Sequence, residues 1–246
     1  MDNIVEIVLS ALAVLLILTI HEYSHAYAAY RLGDETAKRL GRLTLNPLKH
    51  LDPLGAICMI FFRIGWANPV PINPRNFKKP KRDFAITALA GPLSNMIFAF
   101  FSAFLCLLLY SFFVKTEFSS EFLFQFVLNL LRFLFIFHQI NIGIGLFNLI
   151  PIPPLDGSRI LNVVLPPKYY FGIMKYERQI YLALLGWLIL GNAAKRALLS
   201  LSFVASNPIL STIAGVFSLS DMLGSLILWL SDTMFSFWQL IPFLNF

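Results

Sequence analysis

The sequence predicts an all-α polytopic membrane protein: a bundle of about four to six transmembrane helices, with a re-entrant or extended segment between the first and second long helices. Three observations predict it. Of 246 residues, 58% are hydrophobic and only 13% charged, where a soluble domain has about a quarter charged. Mean hydropathy is +0.73, and the apolar residues come in runs of the ~20 that a bilayer core about 30 Å thick demands of a helix. The basic residues are bunched: positions 31, 38, 39, 42, 49, 63, 75, 78, 79, 81 and 82 hold 11 of the 19 Lys and Arg residues. A disordered chain would lack the apolar residues, and two cysteines in apolar surroundings, Cys58 and Cys106, make no disulfide framework. The net charge of +6 and pI near 9.4 come with no aromatic-interleaved basic face, so no nucleic-acid partner is expected.

The elements follow in order. Residues 5–31 read as the first transmembrane helix, closed by Arg31 and Gly33. A cleavable signal peptide would carry a basic start and a purely apolar centre, and this stretch has neither. Leu54 to Phe62 is too short to span and reads as re-entrant or interfacial. Gly65 to Pro74 holds Pro69, Pro71 and Pro74, which remove amide donors and push their predecessors toward extended conformations, so an extended loop is expected. Phe84 to Val114 is the second long span, and Lys115 to Glu121 a hydrophilic turn. The third span, Phe122 to Ile150, contains Asn129, Arg132, His138, Gln139 and Asn141, costly in hydrocarbon unless they face the bundle interior or water. Pro151, Pro153 and Pro154 interrupt it and Ile160 to Leu165 resumes, predicting a broken helix around Asp156. Tyr181 to Leu190 begins a weaker span limited by Lys195 and Arg196, and Phe203 to Trp238 is apolar around Asp221 and Asp232.

Charge sets the orientation. The 31–83 loop is strongly basic, whereas 115–121 carries Lys115 against Glu117 and Glu121, so the first loop is expected in the cytoplasm and the N-terminus outside. His21 to His25 and Asp156 then fall at the same, cytoplasmic depth.

His21 and His25 are four residues apart, so their imidazoles leave one helix face and can bind a single ion. Glu22, rotated by about 100°, lies beside that face. His-Glu-x-x-His supplies two nitrogen ligands for Zn2+ and a carboxylate able to take a proton from water that the metal acidifies. A third ligand is needed, and Asp156, Asp52, His50, His138, Asp34 and Glu35 are candidates. His138 reads better as satisfying a group within the third span, and His50 as a solvated loop residue. Asp156 has the best context, because broken backbone at membrane depth is tolerated where it lines a cavity.

The chain resembles the site-2 proteases, intramembrane zinc metalloproteases that cut transmembrane segments. The resemblance rests on His21-Glu22-Tyr23-Ser24-His25, on Gly91-Pro92-Leu93-Ser94-Asn95, and on Asn148 through the prolines to Leu155-Asp156-Gly157; Asn46 to Gly55 and Gly65 to Pro74 look like one compact prokaryotic branch without a PDZ or CBS domain. It implies one Zn2+ per chain held by His21, His25 and Asp156, Glu22 as general base and acid, and Asn95 as a group that positions substrate or steadies the oxyanion. Ser158, where many members have glycine, is a departure that spares the ligand. The whole chain, 1–246, is expected to be a single membrane-embedded domain, with a catalytic core at about 5–165 and C-terminal helices at about 178–246. The implied partners are a transmembrane protein or peptide substrate and the lipid bilayer of a prokaryotic cell, with regulated intramembrane proteolysis or signal-peptide remnant clearance as the task. Asn68, Pro69, Val70, Pro71, Ile72 and Asn73 are expected to hold an unwound substrate by strand addition. The rival reading is a non-catalytic zinc-binding scaffold or chaperone for transmembrane helices, against which an intact Glu22 argues.

Overall fold

The computed structural model describes residues 2–52, 55, 67–207, 210–211 and 219–244. Among the described residues regular structure is helical throughout, apart from one isolated antiparallel bridge between Leu51 and Ala67. Apart from Gly55, the expected re-entrant stretch Leu54 to Phe62 lies outside the described residues, as do Gly65 and Trp66.

Helix α1 runs Asp2–Arg31, a sequence with neither glycine nor proline to interrupt it. It stops at Gly33, whose φ of 109° is a left-handed conformation open to glycine. The Asp34 amide then donates back to the Ala29 carbonyl at 2.9 Å. A short helix α2, Thr36–Arg39, and a 3-10 turn, Pro47–Lys49, follow. Helix α3, Pro80–Lys115, starts earlier than the expected Phe84. Pro80 suits a first turn, where its missing amide costs nothing, and Asp83 accepts the Lys79 amide at 2.9 Å and pairs with Arg82 at 2.8 Å. At 36 residues α3 is about 54 Å long, so its basic first turn projects beyond a bilayer core. Helix α4 is Glu121–Leu149.

These three, α1, α3 and α4, are long and apolar enough to cross a membrane. Beyond them come α5 (Asp156–Val164), α6 (Pro167–Met174), α7 (Glu177–Leu199), α8 (Ser202–Ala205) and α9 (Leu219–Gln239). Helix α7 runs through Lys195 and Arg196 instead of stopping before them, and its 23 residues, like the 21 of α9, are long enough to span. The apolar stretch 203–238 is divided rather than continuous, with α8 ending at Ala205.

Helix α3 is central, packing against α1, α4, α5 and α9. Helices α1 and α4 meet through Ala13, Ile17 and Phe137, ringed by Leu16, Ile20, Phe133, Ile136, Ile140 and Ile144. Helix α9 is fastened to α3 by Trp238, whose indole N–H donates to the Phe100 carbonyl at 2.8 Å and whose ring lies on Phe100 and Phe104. Phe98, Phe101, Leu105 and Phe112 of α3 point outward, exposed, as side chains in a lipid solvent do.

Candidate metal centre

One turn apart on α1, His21 and His25 are both buried, and their Nε2 atoms lie 3.0 Å from each other. Asp156 Oδ2 lies 3.1 Å from His21 Nε2 and 3.2 Å from His25 Nε2. His25 Nδ1–H donates to the Thr87 carbonyl of α3 at 2.7 Å. A carbonyl only accepts, so that bond places the ring proton on Nδ1 and leaves the Nε2 lone pair facing the centre. The three atoms form a nearly equilateral triangle. A tetrahedral ion with bonds of 2.0–2.1 Å spaces its ligands about 3.3 Å apart, so this set fits Zn2+ with a fourth position left for water or substrate. His21, His25 and Asp156 are a group able to hold a metal ion among the described residues.

The backbone is shaped around this triangle. Gly91 of α3 faces the imidazoles: a Cβ there would press on His25 Nε2 and come within 2.6 Å of His25 Cε1 and 2.7 Å of His21 Cε1. Asp156 opens α5 directly after the proline-rich turn that ends α4, where Pro153-Pro154 is a cis peptide. Gly157 lets that turn close, since a Cβ would meet the Leu149 carbonyl and lie 2.5 Å from the Ile150 oxygen. Ser158 is buried with its hydroxyl donating to the Leu155 carbonyl at 2.7 Å, so the departure from glycine satisfies itself locally.

Asn95 sits one turn beyond Gly91 on the same face of α3. It is fully buried, and neither its Nδ2 nor its Oδ1 has a hydrogen-bond partner among the described residues. An unpaired buried amide costs about 1–3 kcal/mol.

Glu22 stands beside the triangle, half-buried. Its Oε2 accepts the Val70 amide at 2.9 Å, so the segment Asn68 to Asn73 passes directly over it. This segment is non-helical, as the prolines require. The Asn68 amide donates to the His50 carbonyl at 2.8 Å, Arg42 Nη2 donates to the Asn68 carbonyl at 2.6 Å, and the Asn73 amide donates to Asp34 Oδ2 at 2.7 Å. The Val70 side chain is buried with Ala26 of α1 and Ala37 of α2, against Leu43.

The other candidate ligands lie elsewhere. His138 is buried, its Nδ1–H donating to the Ala99 carbonyl at 2.9 Å while Nε2 accepts from the Ser231 hydroxyl at 3.0 Å. It satisfies α3 and α9 rather than its own span. His50 is buried rather than solvated, with Nε2 donating to the Thr44 carbonyl at 2.8 Å. Asp52 accepts the Gly55 amide at 2.8 Å, and Glu35 pairs with Arg39 at 3.0 Å. Sequence reasoning missed Thr87 as the group that orients His25, because it acts through a carbonyl that any residue could supply. It also missed the anchors Asp34, Arg42 and His50.

The model of peptidase family M50 matches residues 9–185. A relative from Bacillus subtilis (strain 168), named as a candidate zinc metalloprotease, YwhC, is 48% identical over 149 residues, which are 61% of this chain and 65% of that protein. Another, from Mycolicibacterium smegmatis and named as a candidate zinc metalloprotease, Rip2, is 36% identical over 89 residues, 35% of this chain and 34% of that protein. The matched part of this chain thus spans less than two thirds of either relative. No solved structure is a significant match.

Proposed function

Because the chain belongs to peptidase family M50, an integral, multi-pass membrane protein on the strength of that family and its three long apolar helices, we propose that it is an intramembrane zinc metalloprotease of the site-2 type. The observation that carries this reading is the triangle of His21, His25 and Asp156 with the Glu22 carboxylate beside it. His21, His25 and Asp156 would hold the ion. Zn2+ supplies Lewis acidity when bound, polarising a scissile carbonyl and bringing the pKa of water near neutrality. Glu22 Oε2 takes the proton of the attacking water and returns it to the leaving amine. Asn95, whose buried amide has no partner among the described residues, donates Nδ2–H to the developing oxyanion. The Thr87 carbonyl keeps the His25 ring in the tautomer that ligation needs.

The substrate is a membrane protein or peptide whose spanning helix must be unwound before its amides can be attacked. Residues 68–73 would hold the unwound strand. The Ile72 amide and the Val70 and Pro71 carbonyls make no hydrogen bond among the described residues, which leaves an edge for strand addition. The basic 31–83 loop supports an orientation with this face in the cytoplasm and the N-terminus outside, in the cell membrane of a prokaryote. Regulated intramembrane proteolysis and clearance of signal-peptide remnants both fit such a site.

The test is zinc content and cleavage of a panel of single-span proteins by wild type, Glu22→Gln, Asn95→Ala and Asp156→Ala. The expected result is about one zinc per chain and no cleavage for Glu22→Gln, retained zinc with kcat down by about 10²–10³ for Asn95→Ala, and lost zinc for Asp156→Ala. Zinc in wild type with no cleavage, and identical behaviour in Glu22→Gln, would replace the protease with a zinc-binding scaffold.

A further inference from the structure

We propose that Asp34 is a positioning residue for this site: by gripping the far end of the 67–77 segment it sets the register in which the Val70 amide meets Glu22. The proposal rests on the reading of Glu22 as the proton carrier.

Asp34 is completely buried, and its carboxylate is saturated with donors. Oδ2 accepts the Asn73 amide at 2.7 Å. Oδ1 accepts Asn76 Nδ2 at 2.7 Å, the Thr36 amide at 3.1 Å and the Thr36 hydroxyl. Burial alone pushes such a carboxyl up, but the four donors together hold it below the ordinary carboxylate range. Asp34 is also rigid with respect to α1, because its amide closes on Ala29 and Gly33 turns the chain at the helix end.

The geometry has one consequence for Glu22. Two carboxylates on one rigid body, Glu22 within α1 and Asp34 just past its end, hold two amides of the same extended segment, Val70 and Asn73. Those amides are three residues apart, about 10 Å in extended chain. Pro71 lies between them with its φ locked and no amide of its own, so the connector is stiff. The Val70 side chain, seated on Ala26 and Ala37, fixes the same register against the helix surface. Movement at Asn73 therefore reaches Val70, and through Val70 the Glu22 carboxylate, although Asp34 touches neither. Arg42 and His50 hold the opposite end at Asn68, so releasing Asp34 frees one end of a strip pinned at both.

The test is residue-resolved hydrogen exchange on the zinc-loaded full chain in lipid nanodiscs, comparing wild type, Asp34→Asn and Asn76→Ala. Asp34→Asn keeps the shape but points an amide group at donors. It is expected to speed exchange of both the Asn73 and the Val70 amides by about tenfold or more, with zinc content and helicity unchanged. Asn76→Ala removes one of the four donors and should produce a smaller increase at the same two amides, which decides the matter should Asp34→Asn fold poorly. Faster exchange at Asn73 with Val70 unchanged would overturn the proposal and leave Asp34 a local loop closure. Cleavage of a single-span peptide by the same preparations adds kcat, expected to fall about tenfold in Asp34→Asn at wild-type zinc. A wild type that cuts nothing would defeat the protease reading while the exchange data still decide the coupling.

Discussion

Gly91 has no room for a side chain, because the edges of both imidazoles occupy the place of its Cβ. Gly91→Ala must therefore push the histidines or α3 aside, a strain of about 1–3 kcal/mol, and the expected outcome is zinc well below one per chain with helicity intact; full zinc by metal analysis would contradict it. Asp34 yields a pH dependence. Its folded pKa lies below the unfolded value, so its stabilisation is complete above the ordinary carboxylate range near pH 3.9 and disappears as pH falls through the folded value. The melting-temperature gap between wild type and Asp34→Asn is accordingly expected to be widest at neutral pH and to close below about pH 4. The two residues differ in how openly the sequence declares them. His21, Glu22 and His25 are legible because their relation spans one helical turn, and Asp156 because prolines mark it. Asp34, Arg42 and His50 look like ordinary loop residues, since the groups that give them work stand far along the chain: 39 residues separate Asp34 from Asn73, and 26 separate Arg42 from Asn68.

Helix α5, which delivers Asp156, is short and is braced from outside. Arg159 donates to Glu177 of α7 at 2.8 Å and lies over the Phe84 ring of α3. Arg159 thereby ties α5, α7 and α3 together. Both partners of the ion pair are about a third exposed, so its worth is small, under about 1 kcal/mol. Glu177→Gln is expected to lower the melting temperature by no more than a few degrees with zinc unchanged, and a loss of zinc would mean that the pair, rather than Gly157 and the proline turn, places Asp156. The three long helices were legible because runs of apolar residues admit one structure in lipid. The end of α7 and the division of 203–238 were not, because composition varies little there and tertiary contacts decide where each helix stops.

At the scale of the molecule, the candidate ligands join α1 to α5 across α3. An ion held there belongs to the folded state alone, so its affinity adds to stability. At a free concentration a thousandfold above Kd the gain is about 4 kcal/mol, which for a chain of this size corresponds to roughly 8–16 °C in melting temperature. Chelation is expected to take that away from wild type and to leave Asp156→Ala nearly unmoved; equal shifts in both would place the ion elsewhere. The same wide spacing acts in time. His21 and Asp156 are separated by 135 residues, and a ribosome adding 5–20 residues per second needs about 7–27 s to travel between them. During that interval the newborn chain displays its histidines without their third companion, so a membrane crowded with insertion machinery meets the finished blade only after α1, α3 and α4 have all been threaded.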